Sequence, residues 1–477
     1  MTTKALQETA PKRGPRRFDI AELIAEREGE RYALHAAHMN EMMVRVIQTI
    51  GGDVGFQRGR GQYLYDRDGT RYLDLLSGWG VFNVGRNHPL VRDAIEATLA
   101  ADLPNLVQMD VSILSGLLAE RLLGFAPWLD KVFFANSGAE TVEAAMKFAR
   151  RATGRAKIVH CSHAFHGLTL GALSLNGDAI FSDGFGPLLP DCVEVPFDDL
   201  PALEAALAAG DVAGFIVEPI QGKGVNLPGD AYLREAARLC RKHGALFVAD
   251  EIQTGLGRTG RFLAVEHWDV EPDMVLIAKG LSGGQAPVGA LLTRRSVFDK
   301  VFNRMDKAVV HGSTFAKNEL AMACGLAALE IIDGERLIAR AERQGERLLQ
   351  SFRAMAQRYE LVKEARGKGL MIGIEFGSPQ SLKLKAAWGV VEAVNQGLFC
   401  QLVTLPLFKD HKILVQVAGH GSHVIKLLPT LVMEDSDCDW IERAFDDTIA
   451  DAHRVPGAVW SLGKTLADHA LKARAAK

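Results

Sequence analysis

An α/β fold with a mostly parallel sheet in a large domain, joined by a smaller α+β domain, is predicted for this 477-residue chain. Two observations predict it. Between about 130 and 295, short apolar runs alternate with helical stretches, the pattern of a sheet covered on both faces. After Gly334 the pattern changes to a long charged helix, separate strands and a last helix. At ~150 residues per domain, the length implies two or three domains. The expected borders are a flexible N-terminus at 1–17, an N-terminal segment of the small domain at 18–80, the large domain at 81–334 and a C-terminal small domain at 335–477.

Taken in order, residues 1–17 are rich in Pro, Lys and Arg, whereas 18–48 carry helical spacing and abundant charge. Gln62 to Tyr65 and Arg71 to Leu75 flank the turn-rich Asp66-Arg67-Asp68-Gly69-Thr70, which predicts a hairpin. The sheet strands are expected at Val132 to Ala135, Ile158 to Cys161, Gly214 to Val217, Leu246 to Ala249, Met274 to Ala278 and Gly289 to Thr293. Beyond Gly334 the spacing predicts a helix at Glu335 to Tyr359, strands at Leu370 to Phe376 and Ile413 to Val417, and a helix around Cys438 to Ala452. Leu398 to Phe408, apolar almost throughout, reads as a buried strand. No internal repeat or low-complexity tract is evident.

Hydrophobic residues make up 48% and charged residues 24%, the profile of a globular enzyme and not of a disordered chain. Lys plus Arg total 55 against Asp plus Glu 58, and a net charge of -3 offers no positive field for nucleic acid. Six cysteines lie singly, without the close pairs of zinc or dithiol sites and too sparse for a disulfide scaffold, so a reducing cytoplasm is expected. The basic start runs into a polar segment without an apolar core, unlike a secretory signal. No run of 18 apolar residues forms a membrane span.

Three motifs resemble sites they do not support. Gly255-Leu256-Gly257-Arg258-Thr259-Gly260 fits G-x-G-x-x-G, but five residues separate it from the preceding strand and Pro272 interrupts the downstream segment, against a nicotinamide-binding turn. Gly463-Lys464-Thr465 matches the end of a P-loop, yet position 458, where the first glycine belongs, is Ala. His163 and His166 lie near Cys161 without a third ligand at metal spacing, so no metal is expected.

A stronger constellation sits at strand ends. Asn136-Ser137-Gly138-Ala139-Glu140 follows the first strand and opens a helix with Val142, Ala145, Met146 and Ala149 at i, i+3, i+4 and i+7. Ser137 and Glu140 have capping-box spacing, and the small residues leave N–H groups and positive dipole open to a phosphate. Asp250 and Lys279 each close an apolar strand, where open α/β sheets bind ligands. A structural ion pair is the plainer reading of the two alone. Together, a carboxylate for a ring nitrogen, a lysine for a Schiff base and a phosphate cradle are what pyridoxal phosphate needs.

The segments NSGAETVEAAMKFAR, HAFHG, EPIQG, DEIQTGLGRTG, AKGLSGG, HGSTF and GKGLMIGIEF extend this constellation in order. With them the chain, from about 35 to 450, resembles the class III (ω-type) aminotransferases, pyridoxal-phosphate enzymes of fold type I. The sequence is also similar to members associated with hopanoid lipid biosynthesis. The resemblance implies that Lys279 forms the Schiff base and then serves as base and acid of a 1,3-proton shift, while Asp250 pairs with the pyridinium nitrogen. It implies that Ser137, Gly138 and Ala139 bind the phosphate, with Phe165 on the ring face and His166 and Gly167 beside it. Glu218 is then expected near the cofactor hydroxyl and the substrate entrance, and Gln253 near the same hydroxyl. Thr314 is expected to reach the phosphate of a neighbouring subunit, so a homodimer with shared active sites is implied. Ser77, Gly78 and Trp79 match the segment lining the substrate side, although Trp79 also fits ordinary packing.

Two departures bear on substrate. Ala316-Lys317-Asn318-Glu319 replaces the family's Gly-Asn-Pro run, and Lys426, in Val424-Ile425-Lys426-Leu427-Leu428-Pro429, stands where several members carry a carboxylate-binding arginine. Lysine lacks the planar fork that grips a carboxylate in two places. An acetylornithine, ornithine or 4-aminobutyrate specificity is therefore in doubt. With the apolar Leu398 to Phe408, this points to transamination from an amino-acid or amine donor onto a large apolar aldehyde or ketone. A decarboxylase or aminomutase on the same scaffold, or a nicotinamide-dependent oxidoreductase, remain as alternatives.

Overall fold

The computed structural model describes residues 18–107, 109–454, 457 and 460. The expectations for 1–17 and for Gly463-Lys464-Thr465 lie outside the described residues. The chain divides into two compact units between Gly55 and Phe56. In the first, the charged helical pattern forms helices Ile20–Arg27, Arg31–His38 and Glu41–Thr49. Asp19 caps the first by accepting from Ala21 N at 2.9 Å, and Asn40 the third by accepting from Met43 N at 3.0 Å. Of its described residues only Val44 is buried.

The second unit opens with three short strands, β1 (Arg58–Arg60), β2 (Tyr63–Tyr65) and β3 (Arg71–Asp74). The predicted hairpin is β2 and β3, joined by a turn in which Asp66 accepts from Asp68 N and Thr70 N. The central sheet has seven strands: β4 (Lys131–Ala135), β5 (Lys157–Cys161), β6 (Cys192–Val195), β7 (Val212–Val217), β8 (Leu246–Asp250), β9 (Met274–Ile277) and β10 (Gly289–Thr293). Their order is β4-β10-β9-β8-β7-β5-β6, and β10 runs antiparallel to both neighbours. Residues of β7, β9 and β10 are buried throughout, so both faces demand apolar side chains, the continuous runs seen in the sequence. The edge strand β6, with Glu194 exposed, carries too weak an apolar signal to read from sequence.

Two smaller sheets complete the unit. One adds β13 (Ile413–Leu414) parallel to β3. The other is antiparallel, in the order β11-β12-β15-β14, from β11 (Val362–Lys368), β12 (Met371–Phe376), β14 (Gln416–Val417) and β15 (Val424–Leu427). The single strand expected at Ile413 to Val417 is thus divided between two sheets. The apolar stretch read as a buried strand is instead the helix Leu398–Lys409, which buries Phe399, Cys400, Leu402 and Val403. Burial on most sides erases the period that separates a helix from a strand.

The glycine run at 255–260 does not turn from strand into helix. Gly257 and Gly260 take left-handed φ values of 87° and 82°, and between them Arg258 turns inward and is fully buried. Its guanidinium donates to the carbonyls of Leu370 and Pro429 and, at 2.6 Å, to Asn83 Oδ1, and burial lowers its pKa to about 9. Gly369 adopts φ +52° against this turn, and Gly345 of the helix Leu337–Arg358 lies against the Gly369 carbonyl. A Cβ at 345 would collide with that backbone oxygen. Gly345→Ala therefore lowers the thermal midpoint, by overpacking worth about 1–3 kcal/mol, although alanine favours a helix. An unchanged or raised midpoint in calorimetry removes this constraint.

Candidate active site

Three neighbouring strands deliver their carboxyl ends to one cavity of about 810 Å³. Glu218 follows β7, Asp250 ends β8, and Lys279 follows β9 by one residue. Their proximity comes from sheet order and is invisible to spacing along the chain. Lys279 adopts φ +43°, a left-handed conformation that costs a lysine energy and occurs most where function requires it. Burial lowers its pKa, against the opposing charges of Asp250 and Glu218. Its amine has no hydrogen bond or ion pair among the described residues.

Asp250 is 3% exposed and is held on both oxygens. Oδ1 accepts from Ile252 N at 3.1 Å, and Oδ2 lies 2.6 Å from His166 Nδ1. For His166, burial lowers the pKa, but the bond to Asp250 and the charges of Asp250 and Glu218 outweigh it, and the net shift is upward. The Nε2 of His166 is buried without a partner. Asn176 fixes the turn, accepting from His166 N at 2.8 Å and donating to the Gly167 carbonyl at 2.9 Å.

Glu218 does more than line the wall. Its Oε1 accepts from Phe165 N at 2.9 Å and its Oε2 from Gly222 N at 2.7 Å, tying the turn of Phe165, 53 residues earlier in the chain, to the turn that directly follows Glu218. Burial pushes its pKa up. Phe165 lines the cavity and meets Phe181 edge to face with ring centroids 5.4 Å apart.

At the start of the helix Gly138–Thr153, Ser137 Oγ accepts from Glu140 N at 3.2 Å. The Glu140 carboxylate takes the N–H of Asn136 at 2.6 Å, one residue earlier than the expected capping box. Ser137, Gly138 and Ala139 all line the cavity. A Cβ on Gly138 would lie 2.8 Å from Ile252 Cδ1, so glycine permits the helix to start this close to the segment after β8.

The opposite wall comes from distant segments. Gln253 Nε2 donates to the Trp79 carbonyl at 3.1 Å, and its Oε1 accepts from Lys426 Nζ at 3.3 Å. Lys426 also donates to the Gly222 carbonyl at 2.7 Å. Burial and the charge of Lys279 lower its pKa to about 7, with Glu218 opposing. Trp79, at φ +60° and 62% exposed, donates from Nε1 to Gln416 Oε1 at 2.8 Å. Thr314 is not brought into this cavity. It lines a second one of about 1260 Å³ beside Lys147 and His311, and Asn136 of the first cavity donates to Ser313 Oγ of the second at 2.6 Å.

Sequence reasoning missed Asn136, Asn176, Phe181 and Lys223. Asn136 opens the motif NSGAETVEAAMKFAR and Lys223 directly follows EPIQG, so a role for each was within reach, whereas Asn176 and Phe181 had no local signal. The site fits pyridoxal phosphate on its donor set: an unpartnered lysine amine, a carboxyl braced by histidine, small residues at a helix start, and an aromatic ring on the wall.

Comparison with known proteins agrees with this geometry. The chain is 37% identical over 440 residues to aminotransferase PigE of Serratia sp. (strain ATCC 39006), a match covering 85% of this chain and 52% of the relative. It thus spans about half the length of that curated relative. The crystal structure of the ornithine aminotransferase from Toxoplasma gondii ME49 is similar at a TM-score of 0.79 and 30% identity, over 91% of this chain and 99% of that one. An amine transaminase from an uncultivated Pseudomonas species, determined in its PLP-bound form, is similar at 0.71 and 30%, over 83% and 94%. Since the class-III aminotransferase family model matches residues 50–449, and with them each strand end that builds the cavity, this chain belongs to the class-III aminotransferases.

Proposed function

We propose that this chain is a pyridoxal-phosphate-dependent transaminase that moves an amino group from an amino-acid or amine donor to an aldehyde or ketone acceptor. The observation that carries the reading is the convergence of Lys279, Asp250 and the helix start at Gly138 on one cavity. When bound, pyridoxal phosphate supplies an electron sink that lets the bonds at an amine-bearing carbon break heterolytically. Everything else falls to side chains of this protein.

Lys279 offers an amine whose lowered pKa favours the unprotonated form, able to bond a carbonyl and then to take and return a proton. Asp250 would pair with a ring nitrogen, and His166 orients its carboxyl from 2.6 Å away. The N–H groups of Gly138 and Ala139, with the helix dipole, would hold the phosphate. Phe165 would lie against the ring, and Glu218 holds Phe165 in place by accepting from its main-chain N–H. Gln253 and Lys426 form the wall beside the substrate, and Trp79 stands at its entrance.

The acceptor is large and apolar in this reading. Phe165, Phe181, Leu168, Val417 and Ala418 supply apolar cavity wall, and Lys426 is engaged by the Gly222 carbonyl. We further propose a homodimer in which Thr314 serves the partner's phosphate site. In support, Val111, Met305 and Val309, which line the same cavity as Thr314, are each at least 88% exposed, an apolar surface that a second copy would cover. The six cysteines, all unpaired, suit a reducing cytoplasm.

Three outcomes test this function. Purified enzyme shows a yellow absorbance band that an amino donor bleaches; Lys279→Ala abolishes bleaching, and Asp250→Asn slows it by ~10²–10³ as an electrostatic partner is lost. Persistent bleaching in Lys279→Ala rejects the assignment. Wild-type kcat/KM for a cationic amine falls as pH drops through about 7, because protonated Lys426 opposes an ammonium substrate, and Lys426→Met flattens this step. An unmoved step assigns the titration elsewhere. Finally, Val309→Glu shifts the particle from dimer to monomer by light scattering and weakens cofactor retention; a monomeric wild type contradicts the shared site.

A further inference from the structure

We propose that Lys223 holds the carboxylate of an α-amino-acid donor by exchanging its ion pair with Asp178 for the substrate, an inference that rests on the transaminase reading above. Lys223 directly follows Gly222 in the turn after β7, a turn closed by Gln221 N donating to the Asn226 carbonyl at 3.0 Å. Its ammonium lies 3.0 Å from Asp178 Oδ2, 4.0 Å from the ring centroid of Phe181 and 5.7 Å from that of Phe165. Lys223 and both rings line the cavity that contains Lys279. A cation therefore stands on the same wall as the ring assigned to the cofactor face.

Two lysines line this cavity besides Lys279, and what each releases separates them. Freeing Lys426 from the Gly222 carbonyl strips a bond from a side chain only 5% exposed, which costs the desolvation of both groups. Freeing Lys223 leaves Asp178 with its side chain 31% exposed, its Oδ2 open to water and its Oδ1 still capping Ile180 N at 3.1 Å. A partly exposed ion pair is worth little and exchanges readily for another carboxylate.

The exchange also answers a requirement of the two half-reactions, which pass through one cavity. With an amino acid, Lys223 leaves Asp178 for the substrate carboxylate. With an apolar carbonyl compound, the pair stays closed, and the lysine methylenes join Phe165 and Phe181 as apolar wall.

Glutarate, a dicarboxylate with no amine to transfer, tests the anion site on the holoenzyme by titration calorimetry. Wild type binds it, Lys223→Met weakens binding tenfold or more, Lys223→Arg retains it, and Asp178→Asn tightens it severalfold. In donor half-reactions, the ratio of KM for L-glutamate or L-alanine to KM for decylamine rises tenfold or more in Lys223→Met. No glutarate binding by wild type, binding indifferent to Lys223, or an unchanged KM ratio overturns the proposal. Absence of a half-reaction with every donor removes the transaminase reading instead, while the glutarate result still decides the anion site.

Discussion

The structure depends on burying ionisable side chains at the carboxyl ends of β7, β8 and β9. Asp250, His166 and Glu218 are each less than a tenth exposed, and charges removed from water must be matched by partners. The 2.6 Å contact of Asp250 with His166 is the central match. Glu218 is matched by two main-chain N–H groups, and in accepting them it fixes the turns that carry Phe165 and Lys223. Compensation of buried charge and construction of the ligand cavity are thus one arrangement.

A second set of bonds brings remote segments to that cavity. Gln253 joins the Trp79 carbonyl to Lys426, and Trp79 joins Gln416. Arg258, buried behind them, spans Asn83, Leu370 and Pro429. It explains the glycine run around it: Gly257 and Gly260 accept left-handed backbone so that one guanidinium turns inward to three separate segments. A run that matched a nucleotide-binding pattern by letter is a structural staple in fact.

Much of this was legible in the sequence, and the misreadings have physical causes. Strands buried on both faces announce themselves as apolar runs, which is why β5, β7, β8, β9 and β10 were found; β4, at one edge, still carries the run Val132 to Ala135, whereas β6, at the other, is interrupted by the exposed Glu194. Leu398–Lys409 defeated the same rule, because a helix buried on most sides has no polar stripe to betray its period. The capping signal at Ser137 and Glu140 was right in kind, but the carboxylate reached Asn136 N instead of the cap residue. Asn176 escaped notice because nothing near it marks an asparagine whose work is to hold the turn of His166.

By itself the sequence determined most strands of the central sheet, the family resemblance and the identity of the chemical groups: strand ends carrying Asp250 and Lys279, a helix opening on small residues, and a lysine at 426. These are local properties, set by side-chain type and period along a short stretch. Only the tertiary structure decided which groups meet. Strand order set Glu218, Asp250 and Lys279 side by side, crossing turns closed on Glu218, and Lys223 came to rest over Phe181 with Asp178 as its partner. Contacts between residues dozens of positions apart depend on the summed packing of the sheet and its covering helices, and no local pattern encodes that sum.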